Sequence, residues 1–273
     1  MRVSRWILAA AIAVAAMSVI GAALAVGPWP GIAASVPSPS GDVRYTATRA
    51  GGVTTVRAIK SGRVVASTKI AGAFGIPAVT SIGTAGGLSP DGRLLVLVQA
   101  PNYEGLREQS RFVILSTTRL ARAATIALPG EFGFDAFSPD RRTLYVIQHA
   151  STSDLVRYVV RAYDLPSRRL LPRVIVDKRN PSEVMRGYPV ARATSPSGDW
   201  VYTLYLKNPG SSVTFVHALN AAGRTAFCID LPNWSPGDDG WEARLELSGD
   251  TLLVKAKGGA TVARIDTKTL RVL

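Results

Sequence analysis

Two tryptophans and two adjacent carboxylates crowd one short stretch of this chain, Pro232-Asn233-Trp234-Ser235-Pro236-Gly237-Asp238-Asp239-Gly240-Trp241. Indole faces beside hydrogen-bonding groups suit a sugar ring, and paired carboxylates on a loop suit a cation. The competing reading makes Trp234 and Trp241 packing residues over a seam, with Asp238 and Asp239 as solvated turn residues. His149 and His217 are the two histidines. Neither stands at ligand spacing from a cysteine or carboxylate, so no metal site is expected. His217 falls in the apolar run Phe215 to Leu219, as a half-buried histidine would. His149 closes a run beside irregular sequence and is the better site candidate. Tyr103 and Arg186 join it, because they lie in the irregular segments Asn102 to Ser110 and Asp177 to Tyr188.

No catalytic constellation emerges. A hydrolase or lactonase would need carboxylates or histidines converging on one point, and Glu131, Asp135, Glu246 and His149 are eligible. No spacing forces them together. A Gly-rich phosphate loop, a Gly-x-Ser-x-Gly elbow and a metal-binding helix are all missing from the sequence, and no cofactor is expected. Asp91, Asp140 and Asp199 look catalytic in isolation, but each sits where a tight turn needs a carboxylate. The single cysteine, Cys228, lies in Ala226-Phe227-Cys228-Ile229 and reads as a small buried hydrophobe.

The elements that position these residues show in the punctuation. Ser38-Pro39-Ser40-Gly41-Asp42, Ser89-Pro90-Asp91-Gly92, Ser138-Pro139-Asp140-Arg141, Ser195-Pro196-Ser197-Gly198-Asp199 and Ser248-Gly249-Asp250 recur about every 50 residues. Proline presets φ for the first central position of a type I turn, aspartate or serine suits the second, and glycine closes it. A β-rich run follows each turn: Val43 to Ala47, Leu94 to Val98, Leu144 to Ile147, Val201 to Leu206 and Leu252 to Val254. Then come a looser polar loop, a third strand such as Phe112 to Leu115, a second tight turn and a fourth strand such as Ala124 to Leu128. With the strand before each serine, every unit holds four strands. One four-stranded sheet cannot bury both faces, so the units stack around an axis. The expectation is an all-β fold, a β-propeller of about five four-stranded blades. Blades 1 and 5 are the weakest in pattern, and six blades with one degenerate unit is the alternative.

The Ser-Pro-Asp-Gly turn running into Arg93-Leu94-Leu95-Val96, with strands ending near an aspartate at Ala162-Tyr163-Asp164 and Arg264-Ile265-Asp266, resembles WD-repeat-like propellers of the TolB-like and YVTN type. The resemblance covers about residues 36 to 273. It implies a fold and leaves function open, since such propellers act as scaffolds, ligand sensors and occasional hydrolases or lactonases. The fifth turn departs from the pattern by lacking its proline, and the last strand, Leu270 to Leu273, is stubby. An extra strand from the Gly31 to Val36 region is expected to help close the ring.

Residues 1–35 form a leader and linker ahead of this domain. Arg2 and Arg5 precede an uncharged stretch from Trp6 to Val26, and Gly27-Pro28-Trp29-Pro30-Gly31 ends any helix there. A helix of about 21 residues just spans a hydrocarbon core of about 30 Å. The arginines on its short side predict that the rest of the chain crosses to the extracytoplasmic side. Ala23-Leu24-Ala25 would let a peptidase release the domain, whereas the length of the run favours a retained anchor. The net charge of +13 comes mostly from scattered arginine, without a nucleic-acid-binding motif, so nucleic acid is not the expected partner. The expected function is an extracytoplasmic binding or scaffold module. Its partner, an unidentified protein, glycan or small ligand, would sit on the face where the long loops gather, with an exported hydrolase or lactonase as the alternative.

Overall fold

The structure is a computed structural model that describes residues 31–99, 106–151, 153–154, 156–182, 185–207 and 214–273. The apolar run Trp6 to Val26 and Tyr103 lie outside the described residues. Among the described residues no helix is long and apolar enough to cross a membrane.

The chain forms five antiparallel sheets. Blade 1 runs Ser35–Pro37, Val43–Ala50, Val53–Lys60 and Arg63–Ala71. Blade 2 runs Phe74–Pro77, Leu94–Gln99, Gln109–Ser116 and Ala121–Pro129. Blade 3 runs Glu131–Phe137, Thr143–His149, Val159–Asp164 and Arg169–Ile175. Blade 4 runs Tyr188–Thr194, Trp200–Leu206, Thr214–Asn220 and Thr225–Asp230. Blade 5 runs Arg244–Ser248, Thr251–Lys255, Thr261–Asp266 and Arg271–Val272. Strands pair in simple meander order within each blade.

The serines recur because their hydroxyls build the first turn. Ser38, Ser89, Ser138 and Ser195 Oγ each accept the backbone N–H that opens the second strand, at 2.9–3.1 Å. Ser89 and Ser138 also donate to Asp91 and Asp140 Oδ1, at 2.7 and 2.5 Å. The Ser138 hydroxyl and the Arg142 N–H hold the Asp140 carboxyl below its usual range. These aspartates are turn formers. The fifth turn is built differently: Ser248 pairs directly with Thr251 across a two-residue hairpin with Gly249 at φ +57°. A turn that short has no place for the proline of the other four.

A second recurring hydroxyl joins blade to blade. Thr54, Ser110 and Thr214, at the start of third strands, donate to the carbonyls of Gly72, Gly130 and Trp234 in the connections that follow. Thr54 and Ser110 also accept the N–H of Phe74 and Phe132, which open the next blade.

Alternation distributes the core among the seams. Leu95 and Leu97 enter the cluster between blades 1 and 2, while Val96 and Val98 enter the cluster between blades 2 and 3. Tyr145, Val160, Tyr205 and Phe215 fill the seam between blades 3 and 4, and Leu204, Val216, Leu252 and Val254 that between blades 4 and 5. Among the described residues no apolar cluster joins blade 5 to blade 1. The remaining side of blade 1 carries Arg44, Thr46, Arg57 and Lys69, and that of blade 5 carries Arg244, Glu246, Lys255 and Arg264. This explains the weak pattern of the two terminal units. Their sheets are formed, and blade 1 has strands of 8, 8 and 9 residues outside its innermost one. Half of each is polar because it has no apolar neighbour.

The Gly31 to Val36 segment splits in a way that its sequence does not announce. Ile32–Ala33 pairs antiparallel with Phe74–Pro77, on the inner edge of blade 2, and Ser35–Pro37 is the innermost strand of blade 1. Neither piece pairs with blade 5, so the expected role in closing the ring is corrected.

Candidate functional site

Blade 2 interrupts its inner strand. After Phe74–Pro77 the chain leaves the sheet as an excursion and returns at Leu88, which bridges to Leu95. The excursion folds on itself through Ala78 opposite Ala85 and Val79 N–H to Thr84 O at 2.8 Å. It crosses to blade 4, where Ser81 N–H donates to Pro189 O at 2.7 Å. Blades 2 and 4 are not sequence neighbours, so this segment spans the axis.

The same two blades touch at their serine-proline turns. A Cβ on Gly198 would lie 2.4 Å from Pro90 Cγ and 2.5 Å from Pro90 Cβ. Gly198 has φ +77°, a conformation that L side chains adopt at a cost of about 1–2 kcal/mol. Gly41, in the first turn, has the same φ and open space around it. Gly198→Ala is therefore expected to cost about 1–3 kcal/mol more than Gly41→Ala, from overpacking alone. Urea unfolding of both variants checks this; equal losses would mean that the turns do not meet.

Beneath these turns lies a cavity of about 500 Å³, bounded by Val36 and Pro39 of blade 1, Leu88 of blade 2, Phe134 and Phe137 of blade 3 and Thr194 of blade 4. Its wall also holds a charged pair. Asp135 is the extra residue of a β-bulge in the inner strand of blade 3, between Phe134 and Ala136. A bulge re-aims its side chain. The Asp135 carboxylate and carbonyl oxygens accept from Arg192 of blade 4, Oδ1 from Nη2 at 2.5 Å and O from Nη1 at 2.7 Å. Both side chains are nearly enclosed, at 4% and 11% exposure. Arg192 Nε is buried with no hydrogen-bond partner.

Two smaller cavities continue from this one. A space of about 20 Å³ shares Val79, Phe134, Asp135 and Arg192 with it. Another, of about 40 Å³, shares Phe134, Ile147 and His149 with the second and reaches Glu131. Glu131 pairs in register with His149. Burial pushes the Glu131 carboxyl up, against the N–H of Arg107 at 3.0 Å and its guanidinium at 3.7 Å. His217 lies in the adjoining seam, 2% exposed, its ring edge-on to Tyr205. Burial lowers its pKa to about 4.

The five sheets, each in meander order, are similar in arrangement to solved propeller chains. The structure titled Dos1 propeller superposes with a TM-score of 0.51 at 12% identity, covering 88% of this chain and 56% of that one. The fold is a β-propeller. BamB from Moraxella catarrhalis gives a TM-score of 0.47 at 14% identity, over 89% of this chain and 66% of that one. TolB from Acinetobacter baumannii gives 0.42 at 12%, over 87% and 52%. No protein-family profile and no curated protein sequence matches the chain.

The propeller separates the residues that the sequence singled out. Trp234 is buried, and Trp241 is half-buried with its ring edge-on to Tyr188, 5.6 Å between centroids. Both pack on the core between blades 4 and 5. Asp238 and Asp239 open a short 3-10 helix, Gly237–Glu242, and Asp239 pairs with Lys257 at 3.2 Å. His149 lines the two small cavities, and Arg186 binds Asp154 at 2.8 Å in the loops of blade 3. Cys228 is half-buried, its N–H donated to Asp177 Oδ2 at 2.9 Å. Of the residues eligible for hydrolysis, Glu131, Asp135 and His149 share blade 3, but Arg107 and Arg192 engage both carboxylates. Glu246 stands exposed on blade 5. Among the described residues no three of His, Cys, Asp and Glu group as a metal site.

The sequence reasoning missed Arg192, Phe134 and the excursion. Length gave no distinguishing signal, because the stretch of residues 72–88 before Ser89 is matched by residues 176–194 before Ser195 and 231–247 before Ser248.

Proposed function

We propose that the chain is an extracytoplasmic binding propeller, tethered by its N-terminal apolar run, whose ligand site is the 500 Å³ cavity. The observation that carries this reading is convergence: four blades contribute to one concave, mostly apolar space with a fixed polar pair in its wall. Such spaces are the usual form of small-ligand sites. The cavity is bordered by the serine-proline turns, which the chain repeats for structural reasons. The ligand site therefore falls on the opposite face from the long loops, where the sequence alone would put it.

Thr84 and Thr194 are exposed residues at the mouth. Thr84→Trp or Thr194→Trp is expected to leave folding intact and to weaken binding of any cavity ligand by more than tenfold, as read by calorimetry on hits from a screen of envelope glycans and co-extracted small molecules. Unchanged binding by both variants would move the site elsewhere. Location supports a separate test. The placement of Arg2 and Arg5 ahead of Trp6 to Val26 predicts that alkaline phosphatase fused after Leu273 is active in cells. An inactive, stably produced fusion would remove the extracytoplasmic assignment and leave the cavity assignment standing.

A further inference from the structure

We infer that the cavity selects an uncharged ligand with an apolar body and one hydrogen-bond acceptor, such as a ketone, ester or amide carbonyl. The inference rests on the reading of this cavity as the ligand site. Three observations define the class. The first is charge balance. Arg192 and Asp135 are the ionisable residues in the cavity wall, and they neutralise one another at 2.5 Å. An anion entering beside Arg192 meets the Asp135 carboxylate, and a cation entering beside Asp135 meets the guanidinium. With both charges largely removed from water, either encounter is weakly screened.

The second observation is the unused donor. Nη1 and Nη2 of Arg192 each donate one hydrogen bond to Asp135, while Nε–H is buried without an acceptor. A buried donor left unmade is costly, and an acceptor delivered to it is favoured by the charge of the guanidinium. Arg192 stands in the wall of both the large cavity and the 20 Å³ space. The third is the remaining surface. Val79, Leu88, Phe134, Phe137 and Val201 offer dispersion contacts and no charge. Of the uncharged polar side chains, Thr84 and Thr194 are exposed, and the Ser89 and Ser195 hydroxyls are engaged in their own turns.

Photolabelling of the full chain in detergent tests the class directly. Benzophenone is a neutral aromatic ketone, and 4-benzoylbenzoate is its anionic counterpart. Labelled peptides are mapped by mass spectrometry, with acetophenone and ethylbenzene as competitors with and without the carbonyl. Benzophenone is expected to label the segments around Val79 to Leu88 and Phe134 to Phe137. Labelling should fall at least tenfold in Thr84→Trp and Thr194→Trp variants that keep the wild-type thermal transition. Acetophenone should compete about tenfold better than ethylbenzene, as one charge-assisted hydrogen bond requires. If 4-benzoylbenzoate labels these segments and benzophenone does not, the cavity remains a binding site and the neutral class is overturned. Equal competition by ethylbenzene overturns the role of the acceptor. If neither probe labels the cavity, the proposed ligand site itself fails, and this inference with it.

Discussion

Arg192→Met is expected to lower the stability of the propeller by about 3–5 kcal/mol, the usual cost of removing one partner from a buried ion pair. The arithmetic is asymmetric. The pair itself gives little net stability, because desolvating two charges offsets their attraction. Removing the guanidinium, however, leaves the Asp135 carboxylate enclosed at 4% exposure and takes the donor from the Asp135 carbonyl as well. The bulge at Asp135 keeps aiming the carboxylate into the seam. Removing both charges, as in Asp135→Leu with Arg192→Met, should recover most of the loss. Urea unfolding of the two single variants and the double variant measures the coupling. If the double variant loses as much as the sum of the singles, the two residues do not act as a unit.

Acid is expected to destabilise the protein between pH 6.5 and about 4 through one residue, His217. Burial lowers its pKa from 6.5 to about 4 in the folded state, with Asp135, Arg192 and Asp177 as lesser influences of mixed sign. Above pH 6.5 the ring is neutral both folded and unfolded, and it contributes nothing to the pH dependence. As pH falls below 6.5 the unfolded chain takes up the proton and the folded chain does not, so stability drops until about pH 4. The full difference is roughly 3 kcal/mol, at 1.36 kcal/mol per pKa unit. His217→Phe removes the proton site, keeps a ring against Tyr205, and should flatten the curve over that window. Asp91, Asp140, Asp164 and Asp266 have pKa values lowered below the ordinary carboxylate range, so their contributions are lost only at more acidic pH. Glu131 acts with the opposite sign, since its raised pKa makes the folded state take up a proton first. A His217→Phe curve as steep as wild type between pH 6.5 and 4 would assign the acid sensitivity to another group.

The blades were readable because one residue type performs one local task five residues ahead of itself. Ser89 bonds the N–H of Leu94, and Ser138 that of Thr143, so the serine is kept wherever the turn is kept. The unbroken apolar run Leu94-Leu95-Val96-Leu97-Val98 likewise states that both faces are covered. The candidate site was not readable for the complementary reason. Asp135 and Arg192 lie on different blades, and each sits in a strand whose local pattern is ordinary. Irregular sequence marks long loops, and it drew attention to Trp234 and Trp241. Both serve the core between blades 4 and 5. The cavity instead arises among the inner ends of regular strands, which nothing in a one-dimensional pattern distinguishes from any other strand end. The doubt over blades 1 and 5 had a physical origin too. A sheet with one unaccompanied face reads as a poor sheet.

The excursion from blade 2 to Pro189 O also bears on how the molecule assembles. Meander sheets form from contacts close in sequence, so each blade of this chain is a local folding event. The excursion is the exception. On the ribosome its residues emerge with blade 2 and wait without their acceptor until blade 4 has been made. Its docking is a long-range contact that ties the second sheet to the fourth and needs the inner strand of blade 4. Amide exchange at Ser81 should then report the joining of those blades, while amides within each meander report the blades one by one.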